Sequence, residues 1–229
     1  MSCGQHPASR KIFTFSETSS DERITIWIPE VLDPSYGMYT WPCAPVLAQY
    51  VWTKRELIQG ASVLEIGSGT ALPGIIAAKC GANVILSDSA NQPRCLDNCR
   101  ASCMANGLSD VPVIGLTWGL FEQSLLDLPK VDFILGSDCF YDTKDFEDVL
   151  VTVAFLLNKN KKAEFWSTYQ QRSSDRSIEF LLKKWRLTCT HVSLAMFGAN
   201  VPQLAGSDLT GNHTIQMLVI KSHIQETDD

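Results

Sequence analysis

The chain of 229 residues has no excess of basic charge, since 25 Asp and Glu outnumber 19 Lys and Arg and give a formal net charge of −6. Nonspecific nucleic-acid binding needs a basic surface, so no direct nucleic-acid partner is predicted. No apolar run reaches the length that spans a bilayer, and the polar start Met1–His6 has no signal-peptide core. We therefore expect no membrane association, and the acidic balance suits a basic partner such as a Lys/Arg-rich peptide.

The sequence also lacks the paired Cys or His spacings that hold metals, because its four histidines are scattered and no Cys-x-x-Cys occurs. Cys95, Cys99 and Cys103 recur every four residues and would share one helix face. Zinc binding is one interpretation, but small side chains on the inner face of a helix explain this spacing better. We predict no metal site, and eight cysteines without a secretory signal indicate reduced thiols.

The segment Val63–Gly74 reads Val-Leu-Glu-Ile-Gly-Ser-Gly-Thr-Ala-Leu-Pro-Gly, which predicts a buried strand, a turn of small residues and a helix start. Gly67 and Gly69 have no Cβ atom to keep a ligand away from the backbone. A strand, a Gly-x-Gly turn and a helix form the nucleotide crevice of open α/β sheets. Asp88 ends the next strand pattern, where a carboxylate can accept both ribose hydroxyls. An ordinary turn is the alternative, and Asp88 favours the adenosine site.

Strand and helix patterns alternate from residue 63 onward. The seven strand patterns cover residues 63–66, 83–87, 111–117, 131–135, 163–168, 187–196 and 213–221. The intervening helices include one from Pro93 to Asn106, one over 144–157 capped by Asp142 or Thr143, and one over 174–185. The last two strands have no helix pattern between them and should form an antiparallel hairpin at the sheet edge.

We therefore predict an α/β fold with a Rossmann-like seven-stranded sheet and helices on both faces. Residues 1–37 are expected to be an extension with a short β-hairpin, formed by Ile12–Phe15 and Ile24–Ile28. The main domain is placed at 38–223 and a tail at 224–229. The closing hairpin argues against a nicotinamide-dependent oxidoreductase, whose Rossmann domain usually continues as βαβ and precedes a substrate domain.

Over about residues 12–221 the chain resembles the seven-strand S-adenosylmethionine-dependent methyltransferases, in particular the protein-methylating methyltransferase family 16. The similar segments are Tyr39-Thr-Trp41-Pro-Cys-Ala44, Glu65-x-Gly67-x-Gly69, Asp88, Leu116-Thr-Trp118-Gly119, Ser137-Asp138-Cys-Phe-Tyr141 and Tyr169-Gln-Gln-Arg172. Each segment is short, but their order along the chain matches that of the family.

The resemblance implies S-adenosylmethionine as the cofactor, bound by Trp41, Glu65, Gly67, Ser68, Gly69, Asp88, Trp118 and Ser137. Glu65 would either support the loop through backbone hydrogen bonds or face the cofactor's ammonium. Asp138 is the candidate catalytic group that orients the target nitrogen and assists its deprotonation, with a cap or an ammonium partner as the alternative. Tyr141 would line the substrate channel, with simple packing as its alternative.

Within the family, the segments of this chain are most similar to one group of members. That resemblance implies methylation of an arginine in histone H3 and residence in both nucleus and cytoplasm. A guanidinium stays charged up to about pH 12, so an arginine methylase needs carboxylates that hold it. Here the loop offers Asp138 and Asp142 and no Glu pair, unlike the main arginine-methylating family. A lysine methyltransferase acting on a non-histone, chaperone-type substrate stays open, as does a binding module without catalysis.

Overall fold

The computed structural model describes residues 8–17, 21–31, 36–172, 177–207 and 214–223. The predicted tail 224–229, residue 213 of the predicted last strand and residues 174–176 of the predicted last helix lie outside these ranges. Within them, the helices are all too short or too polar to cross a membrane.

The described residues contain nine strands in two sheets. The strands are β1 Ala8–Ser16, β2 Arg23–Val31, β3 Ser62–Glu65, β4 Asn83–Asp88, β5 Val113–Gly115, β6 Phe133–Ser137, β7 Glu164–Gln170, β8 Leu187–Val192 and β9 Ile215–Ser222. The pair β1–β2 is a separate antiparallel sheet, and the other seven form the order β5-β4-β3-β6-β7-β9-β8. The predicted α/β fold and both hairpins are therefore confirmed.

The chain order of this sheet reverses between β3 and β6. The strands β3, β4 and β5 run outward in one direction, and β6 then returns to pair with β3 in parallel. In an open α/β sheet such a reversal leaves a crevice at the carboxyl ends of the strands. The last strand β9 inserts between β7 and β8 and pairs antiparallel with both.

Seven α-helices cover the two faces of the sheet in the described ranges. They are α1 Cys43–Thr53, α2 Arg55–Ile58, α3 Leu72–Lys79, α4 Pro93–Ala105, α5 Gln123–Leu126, α6 Phe146–Lys159 and α7 Glu179–Lys184. The helices α1, α3 and α4 contribute to one buried apolar cluster, while α5, α6 and α7 contribute to the other. Successive residues of β3 alternate between them, because side chains of a strand point to opposite faces: Val63 lies in the first cluster and Leu64 in the second.

The N-terminal hairpin β1–β2 adds a layer outside the first helical face. Phe13, Phe15, Ile26 and Ile28 are fully buried and belong to the same cluster as α1 and α3. Since a two-stranded sheet is marginal alone, this shared core stabilises the hairpin.

Several element boundaries differ from the sequence prediction. The helix predicted over 174–185 is observed at Glu179–Lys184. The strand predicted over 111–117 is limited to Val113–Gly115 at the sheet edge. The helix predicted from 144 begins at Phe146 after a 3-10 turn over Thr143–Asp145, which Asp142 caps by accepting from the Lys144 N–H. The strand predicted over 187–196 ends at Val192 because a second 3-10 turn, Leu194–Phe197, follows.

Asn106, just after α4, connects the N-terminal hairpin to the main domain through side-chain hydrogen bonds. Its side chain accepts from the Trp27 N–H at 3.0 Å and donates to the Trp27 carbonyl at 2.7 Å. Asn106→Ala would leave both backbone groups of β2 without these partners, so we expect a loss of about 2 kcal/mol in the free energy of unfolding. Urea denaturation measures this loss. Asn83→Ala is the control, since Asn83 is exposed and donates to one carbonyl, that of Gly60; equal losses in both variants would contradict this connection.

Candidate active site

The loop after β3 approaches the end of β4 and is fixed to it. Gly67 and Gly69 have φ of 58° and 53°, in the left-handed region that glycine adopts without penalty. The Ser68 N–H donates to the Ser87 carbonyl at 2.9 Å, and the Ser68 hydroxyl accepts from the Ser87 N–H at 3.2 Å. The same hydroxyl donates to the Glu65 carbonyl at 3.2 Å. The small residues of the Gly-x-Gly motif therefore form a rigid turn.

The indole of Trp118 lies directly against this turn. A Cβ atom built on Gly67 would lie 2.7 Å from Cζ2 of Trp118, closer than side chains approach in real proteins. Trp118 follows β5, which is separated from β3 by β4. Gly67 is thus required for two independent reasons, its left-handed backbone and the space that the indole occupies.

Asp88, at the end of β4, holds the other side of the glycine loop. Its Oδ2 accepts from the Gly69 N–H at 2.8 Å, and its Oδ1 accepts from the Ser89 N–H at 2.7 Å. Burial raises the pKa of Asp88, while these two N–H donors act in the opposite direction. Each carboxylate oxygen keeps accepting capacity toward the crevice, as the predicted contact with two ribose hydroxyls requires.

Glu65 was expected among the cofactor ligands, and it does not line the crevice. The side chain is fully buried, and its Oε2 accepts from the Gly74 N–H in the first turn of α3 at 3.1 Å. Within the described ranges Oε1 has no hydrogen-bond partner. Burial, partly offset by the Gly74 N–H, raises the pKa of Glu65 to about 8. Of the two roles left open for Glu65, the structure favours support of the loop and helix.

Asp138 follows β6 across the switch point from the glycine loop. Its φ is 55°, an uncommon conformation for a residue other than glycine, and its N–H donates to the Thr168 carbonyl at 2.8 Å. The side chain is 6% exposed, yet it reaches the crevice. Its Oδ1 and Oδ2 accept from Nη1 and Nη2 of Arg172 at 3.0 and 2.5 Å. The carboxylate is therefore bound to a guanidinium through both oxygens.

Aromatic side chains form the outer wall of the crevice. Trp41 and Tyr39 lie with ring centroids 4.7 Å apart. Burial and the nearby Asp145 raise the pKa of Tyr141 to about 12, so its phenol is neutral at physiological pH. Such faces favour a cationic ligand by about 0.5–2 kcal/mol.

These groups line two adjoining cavities, of about 250 and 530 Å³. The first is lined by every residue predicted for the site except Glu65: Trp41, Gly67, Ser68, Gly69, Asp88, Trp118, Ser137, Asp138 and Tyr141. Asp88, Trp118, Tyr141 and Gly37 border both cavities. The sequence thus identified the first cavity, although the role of each residue in it stays a prediction.

Sequence reasoning missed several residues of these walls. Arg172 lay in the Tyr-x-x-Arg segment, whose signal was recognised without a role for the arginine. Gly37 lies so close to the helix α4 that a Cβ atom on it would be 2.5 Å from the Cys95 sulfur. Asp145 and Asp148 of the second cavity gave no separate signal, since they read as the acidic first turns of a helix.

The regularly spaced cysteines pack beside the site as ordinary buried side chains. Cys95, Cys99 and Cys103 are buried on the inner face of α4, and the Cys99 thiol donates to the Gly69 carbonyl at 3.0 Å. All seven cysteines in the described ranges are free thiols, and no cluster of three or more His, Cys, Asp and Glu there could hold a metal.

The geometry fits an adenosine-containing cofactor with a cationic centre. Gly67, Gly69 and Asp88 line the first cavity, and the segment Leu116–Trp118 borders the second. A ribose bound beside Asp88 stays a prediction. A second carboxylate, Asp138, lines the first cavity together with four aromatic side chains, Tyr39, Trp41, Trp118 and Tyr141, and a positive charge is favoured there.

Comparison with known proteins agrees with this fit. A family model described as lysine methyltransferase, methyltransferase family 16, matches residues 20–184. The chain belongs to methyltransferase family 16. It is 57% identical to the histone-arginine methyltransferase METTL23 of Xenopus laevis, over 91% of this chain and 89% of the relative. It is 54% identical to the mouse protein of the same name, over 86% of this chain and 78% of the relative.

The fold of this family 16 chain is shared with a solved S-adenosylmethionine-dependent methyltransferase from Agrobacterium tumefaciens. That structure aligns with a TM-score of 0.60 at 13% identity, over 87% of this chain and 68% of the other. The protein is a methyltransferase, and its cofactor is S-adenosylmethionine. The alternative of a nicotinamide-dependent oxidoreductase is thereby rejected.

The contact between Gly67 and Trp118 predicts how the loop tolerates substitution. Gly67→Ala places a methyl group against the indole, so we expect the affinity for S-adenosylmethionine to fall by at least about 30-fold in calorimetry, a cost of about 2 kcal/mol. Gly60→Ala is the matched control, because Gly60 has φ of 75° and open space around its Cβ position. It should lose stability but bind the cofactor normally; reduced binding in both variants would show that backbone strain alone is responsible.

The raised pKa of Glu65 predicts a pH-dependent stability. Because its pKa is about 8 in the folded chain and 4.5 in the unfolded one, unfolding releases a proton between these values. The stabilisation associated with Glu65 is full below pH 4.5 and is lost as the pH rises toward 8. Glu65→Gln keeps an acceptor for the Gly74 N–H and removes this titration. Urea denaturation at pH 5.5, 6.5 and 7.5 should therefore show a decline with pH about 1 kcal/mol per unit steeper in the wild type; identical slopes would contradict the assignment.

Proposed function

We propose that the protein methylates an arginine of a histone, with the tail of histone H3 as the substrate. One observation carries this proposal above all: Asp138, in the cavity of the glycine loop, binds a guanidinium group through both carboxylate oxygens. A planar guanidinium matches a carboxylate in this two-point geometry, which an ammonium cannot reproduce. The names of the close relatives, histone-arginine methyltransferase, support the same acceptor.

The chain's own residues would perform the transfer by positioning. S-adenosylmethionine supplies a methyl group that is made electrophilic by a sulfonium. Asp138 would hold the acceptor guanidinium so that one nitrogen faces the methyl group, and the proton that this nitrogen loses would pass toward the carboxylate or solvent. Tyr141, neutral and half-buried, would close the channel against water. Orientation and exclusion of water can supply effective molarities of about 10⁵–10⁸ M without a metal.

The charge around the site suits a basic peptide. Asp145 and Asp148 line the second cavity, and the whole chain carries a net charge of −6. Acidic walls raise the local concentration of a cationic tail and speed its association. A histone substrate requires access to chromatin, so the proposal includes residence in the nucleus as well as in the cytoplasm.

Lysine methylation of a non-histone protein, such as a chaperone, is the second candidate. The matching family model is described as lysine methyltransferase. Asp142, which was expected as a second carboxylate of the acceptor loop, does not line either cavity; its side chain accepts from the Lys144 N–H and pairs with the Lys144 ammonium at 3.0 Å. In the described ranges the loop after β6 therefore supplies one carboxylate, Asp138, to the first cavity, unlike the pair of glutamates on one loop in the main arginine-methylating family.

A transfer assay with labelled cofactor and histone H3, mapped by mass spectrometry, tests the proposal. We expect label on arginine, and we expect Asp138→Asn to lower kcat/KM by at least about 100-fold because the acceptor loses its charged partner. Asp142→Asn is the matched control, four residues along the chain, and should change kcat/KM by less than about twofold.

Each contrary result has a distinct meaning. Label on lysine alone would replace the arginine assignment by the second candidate. Cofactor binding without label transfer to histones or other cellular proteins would favour the binding module that lacks catalysis. An unchanged rate in Asp138→Asn would remove Asp138 from the mechanism.

A further inference from the structure

Arg172 is the cation of the first cavity. Among the described residues that line this cavity, Asp88 and Asp138 carry negative charge and Arg172 alone carries positive charge. Arg172 comes two residues after β7, beside β6, and its side chain is 27% exposed at the cavity wall. The side chain of Asp138, by contrast, is 6% exposed. The more accessible member of the pair is therefore the one that could move.

The ion pair with Arg172 occupies both carboxylate oxygens of Asp138. Both carboxylate oxygens accept from the guanidinium, and the thiol of the fully buried Cys43 also lies against this carboxylate. Burial and the neighbouring Asp138 raise the pKa of Cys43, so the thiol is neutral. A second guanidinium cannot form the same two-point contact while Arg172 holds it.

Charge gives the same result as geometry. A substrate arginine and the cofactor sulfonium would bring two positive charges to a cavity that already contains Arg172. Within the first cavity three cations would then face two carboxylates, Asp138 and Asp88, while the further carboxylates Asp145 and Asp148 lie in the adjoining cavity. If Arg172 leaves the cavity as the substrate arginine enters, one guanidinium replaces another and the net charge of the cavity stays the same.

We propose that Arg172 occupies the acceptor subsite on Asp138 and that the substrate arginine binds by exchange with it. The position of the Arg172 guanidinium then marks where the acceptor guanidinium is held, and Arg172 is an intramolecular competitor that weakens substrate binding. This inference rests on the proposed arginine methylation and adds the location of the subsite and its competitor.

Steady-state kinetics of Arg172→Ala with an H3 peptide test the exchange. The KM for the peptide should fall by about five- to tenfold, since the intramolecular ion pair no longer competes, while kcat stays within about twofold. Arg172→Lys keeps a cation but not the two-point geometry, and its KM should lie between those of Arg172→Ala and the wild type. If Arg172→Ala does not fold, the Lys variant carries the test alone. Thermal unfolding and calorimetry with S-adenosylmethionine establish that each variant is folded and binds its cofactor.

Guanidinium chloride at low millimolar concentration, against sodium chloride at equal ionic strength, gives a second readout. In Arg172→Ala the small cation should enter the emptied place on Asp138 and inhibit competitively with the peptide, while the wild type should be insensitive. If Arg172 instead positions Asp138 for catalysis, Arg172→Ala will lose kcat and guanidinium will restore it. That opposite sign, or an unchanged KM in both variants, would overturn the inference.

The proposed function fails in a different way. If wild-type protein transfers no label to any arginine, the acceptor assignment is wrong whatever Arg172 does. If the wild type methylates arginine but the variants show no fall in KM, the exchange alone is wrong.

Discussion

The attachment of the glycine loop to the end of β4 is the constraint on which the site depends. Ser68 exchanges hydrogen bonds with Ser87, and Asp88 accepts from the Gly69 N–H. These contacts bring the turn after β3 and the carboxylate of Asp88 together at the carboxyl ends of the strands, beside the neighbouring β6. Because the N–H groups of Ser68 and Gly69 are held by β4, the turn is already ordered before a ligand binds. The two left-handed glycines permit this attachment, and Glu65 reinforces it from below through Gly74.

Across the switch point, the second half of the site is electrostatic. Asp138 is held in a left-handed conformation by its N–H contact with Thr168, so its carboxylate is directed into the cavity and not along the strand. A left-handed conformation raises the backbone energy of a non-glycine residue, and such residues cluster at functional sites where the direction of the side chain matters. The guanidinium of Arg172 binds both oxygens of this carboxylate.

The sequence predicted the sheet and most of the cavity because short-range patterns determine both. Alternating strands and helices, the Gly-x-Gly turn and Asp88 are local signals whose meeting place follows from parallel topology. Glu65 was harder to assign, since the direction of a side chain at the end of a strand depends on the helix packed against it. Arg172 and Asp138 are 34 residues apart, and their pairing follows from the adjacency of β6 and β7. The insertion of β9 between β7 and β8 also depends on long-range pairing, which no local pattern records.

Neutral side chains around the cavity make its few charges decisive. Burial raises the pKa of Cys43 and Cys139, and it raises that of Tyr141 to about 12 and that of Glu65 to about 8. None of these four groups is mainly charged at pH 7, and among the described residues that line the first cavity the charged ones are Asp88, Asp138 and Arg172. With so small a set, adding a sulfonium and a guanidinium changes the balance unless a cation leaves. The exchange proposed at Asp138 therefore follows from the small number of charged side chains that line the cavity.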